Sequence, residues 1–330
     1  MNARSTGLLL SKALDGFQNF KLAEAASLGT LRGYCHDLKH FLKHIGDRDV
    51  ADVTPDLVRD FLGWLRTGYT PIRFGGATHP LSPKTLRNYW IALSSLFAWL
   101  NREFGYDDIM SKVPAPKFKR APVETFSREQ IEALLKAAEY SKEVQPDERR
   151  KYRMRRSTGK RDAAIILTLL DTGMRATELC MLKIGDVDLK TGRMQIKHGV
   201  TGGAKGGKGR TVFMGKTARK AVWMYLVGRE DEDDADAPLF LGKFEHKLNN
   251  VALLHLIKSL GERAGVTKCH PHRFRHTFAI TYLRSGGDVF TLQALLGHSD
   301  LAMVQHYARV AEVDVQQVHK RASPADNWRL

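Results

Sequence analysis

The sequence predicts a mainly helical protein of two domains: an all-helical first domain, and a larger helical domain carrying a small antiparallel β-sheet. Three observations point there. A length of 330 residues suits two domains at ~100–200 residues each. Apolar residues recur at helical spacing through most of the chain. The pattern breaks at two short strand-like runs around a glycine-rich stretch.

In the first domain, Thr30 is the expected N-cap of a helix whose apolar positions are Leu31, Tyr34, Leu38, Phe41, Leu42 and Ile45, with Gly46 as its stop. Thr54-Pro55 supplies an N-cap followed by proline at the first helical position. Leu57, Val58, Phe61, Leu62 and Leu65 form the face of that second helix. After a Gly/Pro-containing loop, Ser82-Pro83 opens a third, with Leu86, Tyr89, Trp90, Leu93, Leu96, Phe97 and Leu100 inward. Residues 1–111 are expected to form this domain, which is within the usual size range.

Residues 112–126 read as a basic linker. Pro114, Pro116 and Pro122 interrupt any helix, and Lys112, Lys117, Lys119 and Arg120 carry charge. Such a segment either tracks a phosphate backbone or is a plain tether. The second domain, 127–312, starts on a capping box, Ser127-x-x-Gln130, followed by Ile131, Leu134 and Leu135. Residues 162–170 are a strongly apolar helix. Met194–Lys197 and Thr211–Met214 are the two strands, expected to pair as a hairpin around a loop holding Lys205 and Lys208. Helices resume from Thr217, the acidic run Glu230–Asp236 is a solvated loop, and residues 313–330 form a tail.

Composition narrows the partner. Lys+Arg 52 against Asp+Glu 36 gives a formal charge of +16. An excess of that size favours a polyanion, either nucleic acid or an anionic membrane surface. The block 149–161, RRKYRMRRSTGKR, either grips DNA or is a disordered loop. No apolar run reaches transmembrane length, and the Leu8–Leu10 run is too short for a signal peptide. Three widely spaced cysteines, Cys35, Cys180 and Cys269, read as free thiols, which places the protein in the cytoplasm.

Two familiar chemistries fail on spacing. The glycine-rich loop lacks G-x-x-x-x-G-K-[ST], because Gly209 follows Lys208. Residues 269–276, CHPHRFRH, put two histidines four apart. They lack the glutamate of H-E-x-x-H and a second Cys/His pair, so no metal is assigned. His272 and Arg275, three apart on a helix, suit proton transfer beside an anion.

The segments TGMRATEL, the basic glycine-rich hairpin, HPHRFRH, LLGHSDL and QHYA occur in one order between residues 160 and 310. In that order and spacing they resemble the tyrosine recombinase/integrase family, phage integrase-like and Xer-like. Each motif alone is common; five in register are specific. The helical first domain resembles that family's SAM-like core-binding domain.

The resemblance implies a site-specific recombinase that cuts and rejoins duplex DNA through a 3′-phosphotyrosyl bond, with no cofactor. By this correspondence Arg175 and Arg275 clamp the scissile phosphate, and His298 hydrogen-bonds it. Lys205 protonates the leaving 5′-oxygen, with Lys208 as runner-up because Ala204 replaces the pattern's glycine. His272 takes the proton of the nucleophile Tyr307, and Glu178 and His276 orient the arginines. Lys112, Lys117, Lys119, Arg120, Lys208 and Arg210 are the further DNA-binding candidates. The family architecture implies two domains clamping duplex DNA and a homo-tetramer on two sites, with the tail docking in trans or in cis. Only some 25 residues precede the expected helices, which leaves no room for an arm-binding domain and leans towards an Xer or short mobile-element type. The 149–161 insertion departs from compact members. Two rival classes remain: a non-catalytic DNA-binding protein on the same scaffold, and a zinc-dependent nuclease.

Overall fold

Four helices build the first unit of the chain in the computed structural model. The structure describes residues 7–72, 78–119, 122–143, 152–197, 209–297 and 301–311, with positions 319, 323 and 328. The chain divides at Ala121/Pro122 into two compact units.

In the first unit, α1 spans Leu10–Ala23, α2 Leu28–Ile45, α3 Pro55–Thr67 and α4 Pro83–Phe104. Helix α1 precedes the first helix expected from the sequence. Leu10, Ala13, Leu14 and Phe17 are spaced for one helical face, and all four are buried. Helix α2 starts a turn earlier than expected. Ser27, not Thr30, is its N-cap: the Ser27 hydroxyl accepts from the Thr30 N–H at 3.1 Å. The caps at Thr54 and Ser82, each followed by proline, are as expected. Phe17, Phe41, Phe61, Leu65 and Phe97 are packed into the common core.

The segment expected to be a basic linker is docked at both ends. Val113 is buried in the first unit's core, and its carbonyl accepts from the Trp90 indole at 2.9 Å. Phe126 is buried in the second unit's core. Lys112, Lys117 and Lys119 remain exposed, and Arg120 lies outside the described residues.

The second unit runs α5 (Arg128–Glu139), α6 (Gly159–Thr172), α7 (Ala176–Met181), β1 (Arg193–Ile196), β2 (Arg210–Phe213), α8 (Lys216–Leu226), α9 (Asn250–Ala264), α10 (Pro271–Arg284), α11 (Val289–Leu296) and α12 (Leu301–Ala311). Helix α6 is central and packs against α5, α8 and α10. The capping box at Ser127 and Gln130 opens α5. The two strands are antiparallel, each one residue earlier than expected, with Met194 opposite Val212. Register is set by burial: Met194, Ile196 and Val212 face the core.

Two arginines of the basic block 149–161 are tied into the fold, while Arg153 and Arg155 stay exposed. Helix α6 begins inside it, at Gly159. Arg156 and Arg161 pair with Asp162, which is 0% exposed, each at 2.8 Å. Thr158 adds a hydroxyl at 3.2 Å. A buried carboxylate needs such partners, so these two arginines are structural. Removing it strands two part-buried cations. Asp162→Ala is expected to destabilise the protein by about 3 kcal/mol, read as a thermal midpoint several degrees lower. An unchanged midpoint would contradict the pairing.

Candidate active site

Helix α6 ends on Gly173, in the left-handed region at φ +60°. A Cβ there would lie 2.3 Å from the Phe278 ring. Only glycine turns the chain so closely against α10. The turn delivers Arg175 to the N-cap of α7. Glu178, three residues on, accepts from the Arg175 N–H at 2.7 Å and from its guanidinium at 2.9 Å. Arg175 also reaches the Gly297 carbonyl at 3.4 Å and stays one-third exposed.

Glu178 thus holds Arg175, and a second arginine shares it. Arg210, the first residue of β2, donates to both Glu178 oxygens at 2.9 and 2.7 Å and to the Leu295 carbonyl at 2.7 Å. This corrects its reading as a DNA contact. The side chain is 15% exposed and ties the hairpin root to α7 and the end of α11. Burial by itself would raise the Glu178 carboxyl. The hydrogen bonds and charge of Arg210 and Arg175 outweigh it and hold the group at about 2.

Helix α10 opens on His270-Pro271, with His270 Nδ1 accepting from the Arg273 N–H at 3.2 Å. His270 is thus a cap. Arg275 is 1% exposed, and its guanidinium spans two helix ends. It donates to the Gly173 carbonyl at 2.8 Å and the Leu296 carbonyl at 2.9 Å. Burial, then the nearby Arg175 charge, pushes it down to about 10, still cationic at neutral pH.

Tyr307 sits on α12 with Val304 and Ala311 on the same buried face. It is 1% exposed, and its Oη lies 2.8 Å from His276 Nδ1. The reading of His276 as a support for the arginines is therefore corrected: its polar contact is with the tyrosine. The His272 ring meets His276 edge-on, with centroids 4.5 Å apart. Burial raises the Tyr307 phenol, while the positive fields of Arg275 and Arg175 pull it back. Burial, then His272, His270, Arg275 and His306, pushes His276 down to about 4.

Of the predicted residues, Arg175, Glu178, His272, Arg275, His276 and Tyr307 come together through the ends of α6 and α11, α7, α10 and α12. Lys205, Lys208 and His298 lie outside the described residues. The structural role of Arg210 was missed. Its signal was position: an arginine closing the glycine-rich run at the start of a strand is placed to anchor the hairpin.

Residues 124–313 match the phage integrase family, and residues 14–104 match the phage integrase N-terminal SAM-like domain. A tyrosine recombinase XerA of Thermococcus kodakarensis is 28% identical over 313 residues, 94% of this chain and 95% of the relative. A tyrosine recombinase XerD of Listeria innocua is 28% identical over 327 residues, 96% of this chain and 99% of the relative. Among solved structures, a XerH site-specific recombinase in a post-cleavage complex with a palindromic difH substrate superposes with a TM-score of 0.64 at 21% identity, covering 96% of this chain and 85% of that one. The Tn1549 transposon integrase bound to transposon right-end DNA gives 0.68 at 18% identity, covering 89% and 94%. At these identities the structural likeness is one of fold.

Proposed function

The chain belongs to the phage integrase family, and from that premise we propose that it is a tyrosine-type site-specific recombinase acting on duplex DNA. The observation that carries the reading is the meeting of Tyr307 with α10: a hydroxyl 2.8 Å from a neutral histidine, in the field of two arginines. A lone buried tyrosine is ordinary core. One placed this way has both a proton acceptor and cations for a developing phenolate.

Tyr307 attacks the scissile phosphorus and the 5′-oxygen leaves, so that a 3′-phosphotyrosyl bond keeps the phosphodiester energy for rejoining. Arg175 and Arg275 stabilise charge on the non-bridging oxygens with fixed cationic forks. By the family correspondence His272 takes the Tyr307 proton, and His298 hydrogen-bonds the phosphate. Tyr307 and Arg275 are each 1% exposed, so their cover must move when DNA binds. The formal charge of +16 and exposed Lys112, Lys117 and Lys119 suit contacts along the DNA backbone. Four copies act on two sites, as strand exchange between two duplexes needs four cleavages. Buried Cys180 and Cys269, free thiols pushed up to about 11 by burial, suit a reducing cytoplasm. Among the described residues no helix is long and apolar enough to cross a membrane. A mobile-element or chromosomal substrate fits the chemistry equally.

A nicked suicide substrate tests the proposal. The expected result is a denaturation-resistant protein–DNA adduct that forms equally in EDTA. A mobility shift without adduct would support a non-catalytic DNA-binding protein, and loss of cleavage in EDTA a metal nuclease.

The same assay separates the two lysines. Sulfur in place of the bridging 5′-oxygen leaves without a proton, so it rescues only a variant lacking the general acid. Lys205→Ala is expected to be slow on ordinary DNA and to recover on the sulfur substrate, with Lys208→Ala mildly impaired on both. The reverse pattern would move the acid to Lys208.

A further inference from the structure

We infer that His276, rather than His272, accepts the proton of the nucleophilic tyrosine, because its Nδ1 lies within hydrogen-bond reach, 2.8 Å, of Tyr307 Oη. The inference rests on the recombinase reading above and changes the residue that performs one of its steps.

Three features support it. Tyr307 is held by its neighbours on α12, with Val304 and Ala311 buried beside it in one cluster. His276 lies within α10, so both partners sit on helices rather than loops. The protonation states also fit. Burial and the surrounding positive groups keep His276 neutral, and burial keeps the phenol protonated, so the phenol O–H donates to Nδ1. Finally, the groups that suppress the basicity of His276 include Arg275 and His272, which face the phosphate in the proposed mechanism. A bound phosphodiester brings negative charge among them. His276 then gains basicity at the moment the tyrosine must lose its proton.

The step balances. The Oη–H proton passes to Nδ1, and the Oη electron pair forms the bond to phosphorus. The bond from phosphorus to the 5′-oxygen breaks, and that oxygen takes a proton from the general acid. In rejoining, the 5′-hydroxyl returns its proton to the conjugate base of the general acid and attacks phosphorus, Tyr307 leaves, and the His276 imidazolium returns its proton to Oη. His272, one turn earlier and edge-on to His276, is left to hydrogen-bond the phosphate.

Asparagine at position 276 discriminates catalysis from positioning. Its amide places a polar atom near the site of Nδ1 and can hold the tyrosine, but it cannot take a proton. On the suicide substrate, His276→Asn is expected to form adduct at least about 10²-fold more slowly than the wild type, in the range for loss of a general base, with DNA affinity and melting retained. A loss of less than tenfold would overturn the inference. Should His276→Asn fail to fold, His276→Gln is read by the same criterion. His272→Asn, run in parallel, is expected to be the less impaired of the two, and the opposite ranking would return the role to His272. The wild type and Tyr307→Phe guard the premise. If the wild type forms no adduct, the recombinase reading fails; if it does and His276→Asn keeps pace, only the role of His276 fails.

Discussion

Tyr307→Phe is expected to bind its DNA site and form no covalent adduct. The substitution removes one oxygen and keeps the ring, which is 1% exposed and packed with Val304 and Ala311. The cavity and packing terms are therefore small. The lost hydrogen bond leaves the His276 Nδ1 without its 2.8 Å partner, at a cost of about 1–3 kcal/mol. A fall of several degrees in the thermal midpoint should follow, with the fold intact. Adduct formation, by contrast, has no route without Oη, since the phosphotyrosyl bond is made to that atom. The measurement is adduct yield on the suicide substrate alongside a mobility shift. Normal adduct from the variant would remove Tyr307 as the nucleophile.

Arg275 carries the second large effect, and its two parts can be separated. The guanidinium joins the Gly173 carbonyl at the end of α6 to the Leu296 carbonyl at the end of α11. Two of its five N–H donors are engaged in this way, which leaves three for an anion. Arg275→Ala leaves the Gly173 and Leu296 carbonyls without this donor in a buried place and is expected to cost about 3 kcal/mol or more. Arg275→Lys keeps the charge but not the fork, because an ammonium is a point charge that cannot span both carbonyls and a phosphate. The lysine variant is expected to fold with a modestly lower midpoint and to form adduct ~10²–10³-fold more slowly. Adduct formation near the wild-type rate in Arg275→Lys, with a lowered midpoint, would assign Arg275 to structure alone.

Much of this protein is legible along the chain because its signals are local. Caps such as Ser82-Pro83 and Ser127-x-x-Gln130 satisfy backbone groups within one turn, so residue identity suffices to place a helix start. Even there, competition between neighbours misled: Ser27 and Thr30 both suit an N-cap, and the helix begins at the earlier one. Helix α1 was overlooked because its apolar face, Leu10 to Phe17, lacks a side-chain cap to announce it.

The sequence by itself determined the class of fold, the pairing of the two strands, and six of the residues gathered into the site: Arg175, Glu178, His272, Arg275, His276 and Tyr307. Helical period, turn chemistry and motif order are all properties of short stretches. Only the tertiary structure decided what those residues touch. Arg210 and Arg156 count equally towards the +16 charge, yet one holds Glu178 and the other a buried Asp162. Their partners lie 32 and 6 residues away, and a pairing depends on where the chain returns, not on what surrounds a residue in sequence. The same holds for the two histidines of α10. One turn apart, they are equivalent by spacing. The packing of α12 against α10 puts Tyr307 beside His276, because a hydrogen bond is a matter of ångströms that no residue pattern encodes.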